Sequence, residues 1–195
     1  MEKILKTIIA TIFFPLLLDA KFAVRSYQEL RSSEVVRQSH EESCGAASLA
    51  TLINLLDFKI LTEVEVVNLM SDNQEQNTDM VSFFELQNTA LKLLYESKGY
   101  QIDRAIFEKI TIPILVKIED DPRFPHFVVV INHKGDFVTI FDPSYGKYVS
   151  SKDQFYNLWD RHKKGGYALI LAPKNNIQRE YKPNLPANKA LFDNF

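Results

Sequence analysis

The chain has 195 residues, with 46% hydrophobic and 25% charged side chains and only 6 Gly and 8 Pro. That size suits one hydrophobic core, and the composition excludes collagen-like, disordered and coiled-coil architectures. Lys and Arg number 23 against 25 Asp and Glu, for a net charge of -2, so the global attraction that drives non-specific nucleic-acid binding is missing. A single cysteine, Cys44, excludes an internal disulfide framework and any zinc site built on several thiolates.

The opening MEKILKTIIATIFFPLLLDAKFA places Lys3 and Lys6 beside the free amine, then an apolar run from Thr7 to Leu18, then small residues. This is the layout of a signal peptide. The run contains Pro15 and falls short of the roughly 20 residues a membrane-spanning helix needs. We therefore expect a signal peptide over 1–20 cut after Ala20, with Ala23 as an alternative site and a retained N-terminal anchor as the other reading. Cleavage leaves nothing inserted in the membrane and a periplasmic or secreted protein. In that oxidising setting one unpaired thiol is either buried and inert or a nucleophile.

Residues 21–32 read as a lead-in segment. From Ser43, Leu49, Leu52, Ile53 and Leu56 form the stripe of a central helix that starts near Cys44. Thr62 with Glu65 makes a capping box for a second helix over Thr62 to Met70. A polar loop follows through DNQEQNTD. Ser82 with Glu85 repeats the capping signal, and Phe83, Leu86, Ala90, Leu93 and Leu94 extend a third helix to Gly99, read as its C-terminal cap. Four apolar runs then read as strands: TIPILVKI, HFVVVIN, DFVTIFD and GYALILA. His133 to Asp136 joins the second and third as a hairpin. Asp142 opens a Pro-containing turn, DPSYGK, and SKDQFYNLW adds a short helix from Ser151 with Phe155 and Trp159 on one face. Helices first and an antiparallel sheet afterwards indicate α+β. The expected domain covers 33–173, and 174–195, polar and without periodicity, reads as an extended tail.

A thiol attacks carbonyls as thiolate, and a helix N-terminus favours negative charge, so Cys44 is well placed for a nucleophile. Gln38, six residues earlier, can supply an amide that joins the Cys44 N–H in holding an oxyanion. His126 opens one strand and Asp142 ends the next; a hairpin brings those two ends to the same sheet edge. His126 suits a general base and Asp142 the group that orients it. Each has a bland alternative: a strand-end histidine bonded to backbone, and a turn aspartate capping its own loop. His133 and His162 read as solvated surface, His40 as lying ahead of the helix and off any metal-binding face, and Trp159 as core.

Taken together, Gln38 to Ser48, the HFVVV run at His126 and the FDPSYG run at Asp142 resemble the bacteriocin-processing cysteine peptidases, which cut leader peptides after a double glycine. The resemblance covers Ser33 to Pro173. It implies a papain-like fold, N-terminal helices packed on a C-terminal antiparallel sheet, with Cys44 as nucleophile, His126 as general base and acid, Asp142 as its orienting partner and Gln38 in the oxyanion hole. No cofactor and no metal is implied. Members of that family usually form the cytosolic N-terminal domain of an ABC exporter, whereas the leader here implies a stand-alone exported peptidase. Its substrate would be a secreted or periplasmic protein or peptide cut after Gly-Gly or Gly-Ala, with a secretion or pilus-assembly system as associated machinery and no nucleic-acid partner. Resolution of the acyl-enzyme by an amine would use the same residues. The alternative from another class is a peptidase-like module that grips a small-residue motif without cutting it.

Overall fold

The computed structural model describes residues 25–57, 59–71, 82–119 and 126–173. The expected leader, the polar loop after the second helix and the tail lie outside the described residues. A capping box between Ser26 and Glu29 starts α1 (Tyr27–Ser32) inside the expected lead-in. No α1 residue is buried, so the segment lacks the apolar stripe by which sequence reading finds helices. A 3-10 turn over Glu41–Ser43 runs into α2 (Cys44–Leu56), followed by α3 (Glu63–Ser71) and α4 (Phe83–Lys92). Both expected capping boxes form: Glu65 Oε2 takes the Thr62 N–H at 2.8 Å and Glu85 Oε2 takes the Ser82 N–H at 2.7 Å.

The remaining elements are β1 (Tyr95–Ile102), α5 (Arg104–Phe107), β2 (Ile114–Ile118), β3 (His126–Asn132), β4 (Phe137–Asp142), β5 (Gly146–Ser151), α6 (Lys152–Trp159) and β6 (Gly166–Pro173). They build a six-stranded sheet in the order β1-β6-β2-β3-β4-β5, antiparallel at every pairing. Two expectations need correction. The third helix ends at Lys92 rather than near Gly99, because Leu94 turns left-handed at φ 70° and the chain leaves as β1, with Gly99 inside the strand. The stretch after Asp142 is more than a turn: Pro143 to Tyr145 form the loop, and Gly146 begins β5.

The sheet is buried on both faces, which explains why β3 reads as a near-continuous apolar run rather than alternating. Phe127, Val129 and Ile131 face a core with Leu49, Leu52 and Ile53 of α2, Leu86 and Ala90 of α4, and Val66 of α3. Val128 and Val130 face the other way, onto Phe107, Phe155 and Trp159. The helices therefore do not all lie on one side: α2 to α4 cover one face and α5 and α6 the other. Trp159 is core, stacked on Phe155 with ring centroids 5.3 Å apart at 14° and donating its indole N–H to the Tyr167 carbonyl at 3.0 Å.

Gly166 is set by that indole. A Cβ there would lie 2.2 Å from Trp159 Cε2. Gly166→Ala must push the ring out of its stack, and we expect a loss of about 1–3 kcal/mol, read as a lower urea midpoint. An unchanged midpoint would mean the indole has room to move.

Candidate active site

The site is built where the N-terminus of α2 meets the start of β3. α2 is buried along its whole first stretch, from Cys44 to Ile53, because small residues there let neighbouring elements close in from all sides. Its depth is set by a polar tie one turn after Cys44: the buried Ser48 hydroxyl donates to the Phe127 carbonyl at 2.8 Å. Phe127 follows His126 directly, so this bond fixes the cysteine helix against the strand that carries the histidine. Cys44 is 4% exposed.

His126 Nε2 lies 3.0 Å from Asp142 Oδ1, and Cys44 is near enough to the imidazole to favour its charged form. With Nε2 engaged by the carboxylate, Nδ1 is the nitrogen left for sulfur. Burial pulls the imidazole down, but the hydrogen bonds and charges of Asp142 and Cys44 outweigh it and push His126 up to about 9. The ring therefore carries its proton at neutral pH.

Asp142 is 2% exposed. Its Oδ1 also accepts the Ser144 N–H at 2.7 Å and the Tyr145 N–H at 3.1 Å. The two sequence readings of this residue thus hold at once: it caps its own turn and bonds the histidine. Gln38 enters through the same turn, its backbone N–H donating to the Pro143 carbonyl at 3.2 Å. Val36 N–H, two residues earlier, is held by the Thr51 hydroxyl of α2 at 2.9 Å. The Gln38 side chain is half-buried, and its Oε1 is a buried acceptor with no hydrogen-bond partner among the described residues.

Three contributors escaped sequence reading. Ser48 had a signal, a hydroxyl on the buried face of an apolar helix. Thr51 is similar. Glu63 had none, since a carboxylate in a helix first turn ordinarily faces solvent beside the dipole. Here it is 5% exposed: Oε1 accepts the Ser39 N–H at 2.7 Å and the Ser43 hydroxyl, and Oε2 accepts the Ser39 hydroxyl at 2.6 Å. Burial pushes this carboxyl up, yet the Ser39 and Ser43 hydrogen bonds, with His40 nearby, hold it below its ordinary value. The Ser43 hydroxyl, turned to Glu63 and to the His40 carbonyl at 2.7 Å, makes no side-chain cap on α2.

His133 differs from expectation. It is half-buried and bonds Thr139 Oγ1 at 2.7 Å through Nε2. His40 and His162 are exposed. Among the described residues no group of three or more His, Cys, Asp or Glu is placed to hold a metal ion.

The comparisons with known proteins point one way. The Peptidase C39 family model matches residues 32–176. The probable functional amyloid protease FapD of Pseudomonas aeruginosa is 30% identical over 162 residues, 80% of this chain and 71% of that protein. The peptidase domain of Streptococcus ComA, a bi-functional ABC transporter involved in quorum sensing, has a TM-score of 0.61 at 24% identity, covering 71% of this chain and 97% of its own. A double glycine motif protease from an AMS/PCAT transporter, solved with the leader peptide, has a TM-score of 0.54 at 25% identity, over 71% of this chain and 90% of its own.

The raised His126 has a consequence for stability. A folded-state value above the ordinary 6.5 means that its contribution is complete below pH 6.5 and is lost as pH rises through about 9. Thermal unfolding of the wild-type chain should drop across that window, and Asp142→Asn should flatten the drop. Parallel profiles for the two proteins would rule out the ion pair as the source.

Proposed function

The chain belongs to the Peptidase C39 family and has its papain-like fold, and on that premise we propose a thiol peptidase in which Cys44 attacks the carbonyl carbon of a peptide bond. The observation that carries this reading is the His126 ring bonded to the buried Asp142 carboxylate on one side, with Cys44 at the start of α2 near it. A proton already on the imidazole leaves sulfur as the nucleophile. Attack forms the S–C bond and moves the carbonyl electrons onto oxygen, where the Cys44 N–H and the Gln38 carboxamide stabilise the charge. The C–N bond then breaks as His126 gives its proton to the leaving amine. Water adds to the thioester, His126 takes its proton, and the C–S bond breaks to release the acid and restore the thiolate–imidazolium pair. Asp142 keeps the ring aimed throughout.

The substrate is a peptide or protein chain cut after small residues of Gly-Gly or Gly-Ala type. Two relatives support this class: one is named a double glycine motif protease, the other a probable functional amyloid protease. Export belongs to the same proposal and is supported by the Lys3 and Lys6 start and the apolar run behind it. A secreted or periplasmic substrate, and association with a secretion or pilus-assembly system, follow from export. Among the described residues no helix is long and apolar enough to cross a membrane.

Two measurements test the reading. Iodoacetamide should label Cys44 quickly well below pH 8, and His126→Ala should slow that labelling by about tenfold or more. Peptides spanning a Gly-Gly or Gly-Ala bond should be cut by the wild-type chain and left intact by Cys44→Ala. Labelling that appears only near the pH of a free thiol, with no cutting, would favour the binding module.

A further inference from the structure

We propose that Glu63 is a positioning residue for the oxyanion-binding pair, a staple that fixes how far Gln38 stands from the Cys44 N–H. The proposal rests on the peptidase reading above. Gln38 and Cys44 are separated by a five-residue connection, Ser39 to Ser43, which contains a single turn of 3-10 helix. A connection this short and polar has little apolar surface of its own to hold it in one shape. What holds it is a carboxylate delivered from another element, the first turn of α3.

The contacts fall at the two ends of the connection. Ser39, adjacent to Gln38, binds Glu63 through its backbone N–H at 2.7 Å and its hydroxyl at 2.6 Å, and Ser43, adjacent to Cys44, binds the same group through its hydroxyl. One buried carboxylate therefore clamps the residue after one oxyanion donor and the residue before the other. The same bond draws the Ser43 hydroxyl away from the start of α2, where a serine at that position ordinarily caps the first-turn N–H groups. Those donors stay free of any side-chain cap from Ser43. Three donors share the two carboxylate oxygens. Oε1 alone takes one donor from each end, so a glutamine with its amide oxygen in that place keeps the clamp, whereas Glu63→Ala removes the acceptor and opens both ends.

An oxyanion defect and a general structural defect predict different patterns. The oxyanion forms only after attack on a carbonyl; alkylation by iodoacetamide makes none. In the full chain, Glu63→Ala should lower kcat for a Gly-Gly peptide by about tenfold or more with KM nearly unchanged, and Glu63→Gln should restore most of it. Inhibition by a peptide aldehyde ending in Gly-Gly, whose thiol adduct carries the oxyanion, should weaken by a similar factor. The iodoacetamide rate at Cys44 should stay within about twofold. In a Gln38→Ala background, Glu63→Ala should cost little more, since the donor it positions is gone. Ser39→Ala removes only the hydroxyl contact at the Gln38 end and should give the same pattern in weaker form; it serves as the test if Glu63→Ala does not fold. Loss of labelling in step with kcat, full additivity with Gln38→Ala, or unchanged kcat would overturn the role of Glu63 while leaving the peptidase reading intact. A wild-type chain that neither labels below pH 8 nor cuts would overturn both.

Discussion

The depth at which α2 enters the core decides where sulfur lies. A helix buried on every side through its first ten residues, Cys44 to Ile53, cannot slide or rotate without disturbing the packing of Leu49, Leu52 and Ile53 on β3, and interiors packed at crystal density resist such shifts. Apolar packing alone sets depth loosely along the helix axis. The hydrogen bond from Ser48 to the Phe127 carbonyl removes that remaining freedom, and it does so within one turn of Cys44 and one residue of His126. Cys44 and His126 thus meet because a helix and a strand are locked together in the interior, well away from solvent.

Asp142 extends the lock to the other strand of the hairpin. Its Oδ1 gathers the His126 ring and the N–H groups of Ser144 and Tyr145, so the group that orients the imidazole is also the group that shapes its own turn. A second segment braces that turn from outside. Gln38 N–H bonds the Pro143 carbonyl, and α1 passes so close to Gly146 that a Cβ there would lie 2.9 Å from the Arg31 carbonyl. Arg31 Nε then reaches the Lys147 carbonyl at 3.3 Å, and Glu34 pairs with Lys147 at 2.6 Å. The match to the family model begins at residue 32, within the last residue of α1. Arg31 thus precedes the matched range, while Glu34 and Gln38 fall inside it.

How much of this was legible depended on whether a signal repeats in the chain or arises only on folding. The hairpin that brings His126 and Asp142 to one edge was readable, because two apolar runs with a short Gly-containing join admit few topologies. The capping boxes at Thr62 and Ser82 were readable because their two halves are three residues apart. β1 was not: only Tyr95 and Ile102 at its ends are buried, and a strand sustained by backbone pairing with β6 leaves no apolar alternation. β5 was hidden similarly, with Gly146 its one buried residue. Ser48 and Glu63 show a third case. Their partners lie 79 and about 20 residues away in the chain, so nothing local marks them as anything but a helix serine and a first-turn glutamate.

Gln38 joins these strands of argument. A buried acceptor without a partner costs about 1–3 kcal/mol, and native folds keep few of them. Here the orphan is one end of a carboxamide whose backbone is fixed on three sides: Val36 to Thr51, Gln38 itself to Pro143, and Ser39 to Glu63. Nothing in that arrangement serves to satisfy the Oε1 atom; every tie serves to hold the residue in place. The backbone around Gln38 is anchored from α2, from the Asp142 turn and from α3, which fixes the point from which its carboxamide extends. In the proposed mechanism a carboxamide whose backbone is already fixed can stabilise charge as it forms with little reorganisation.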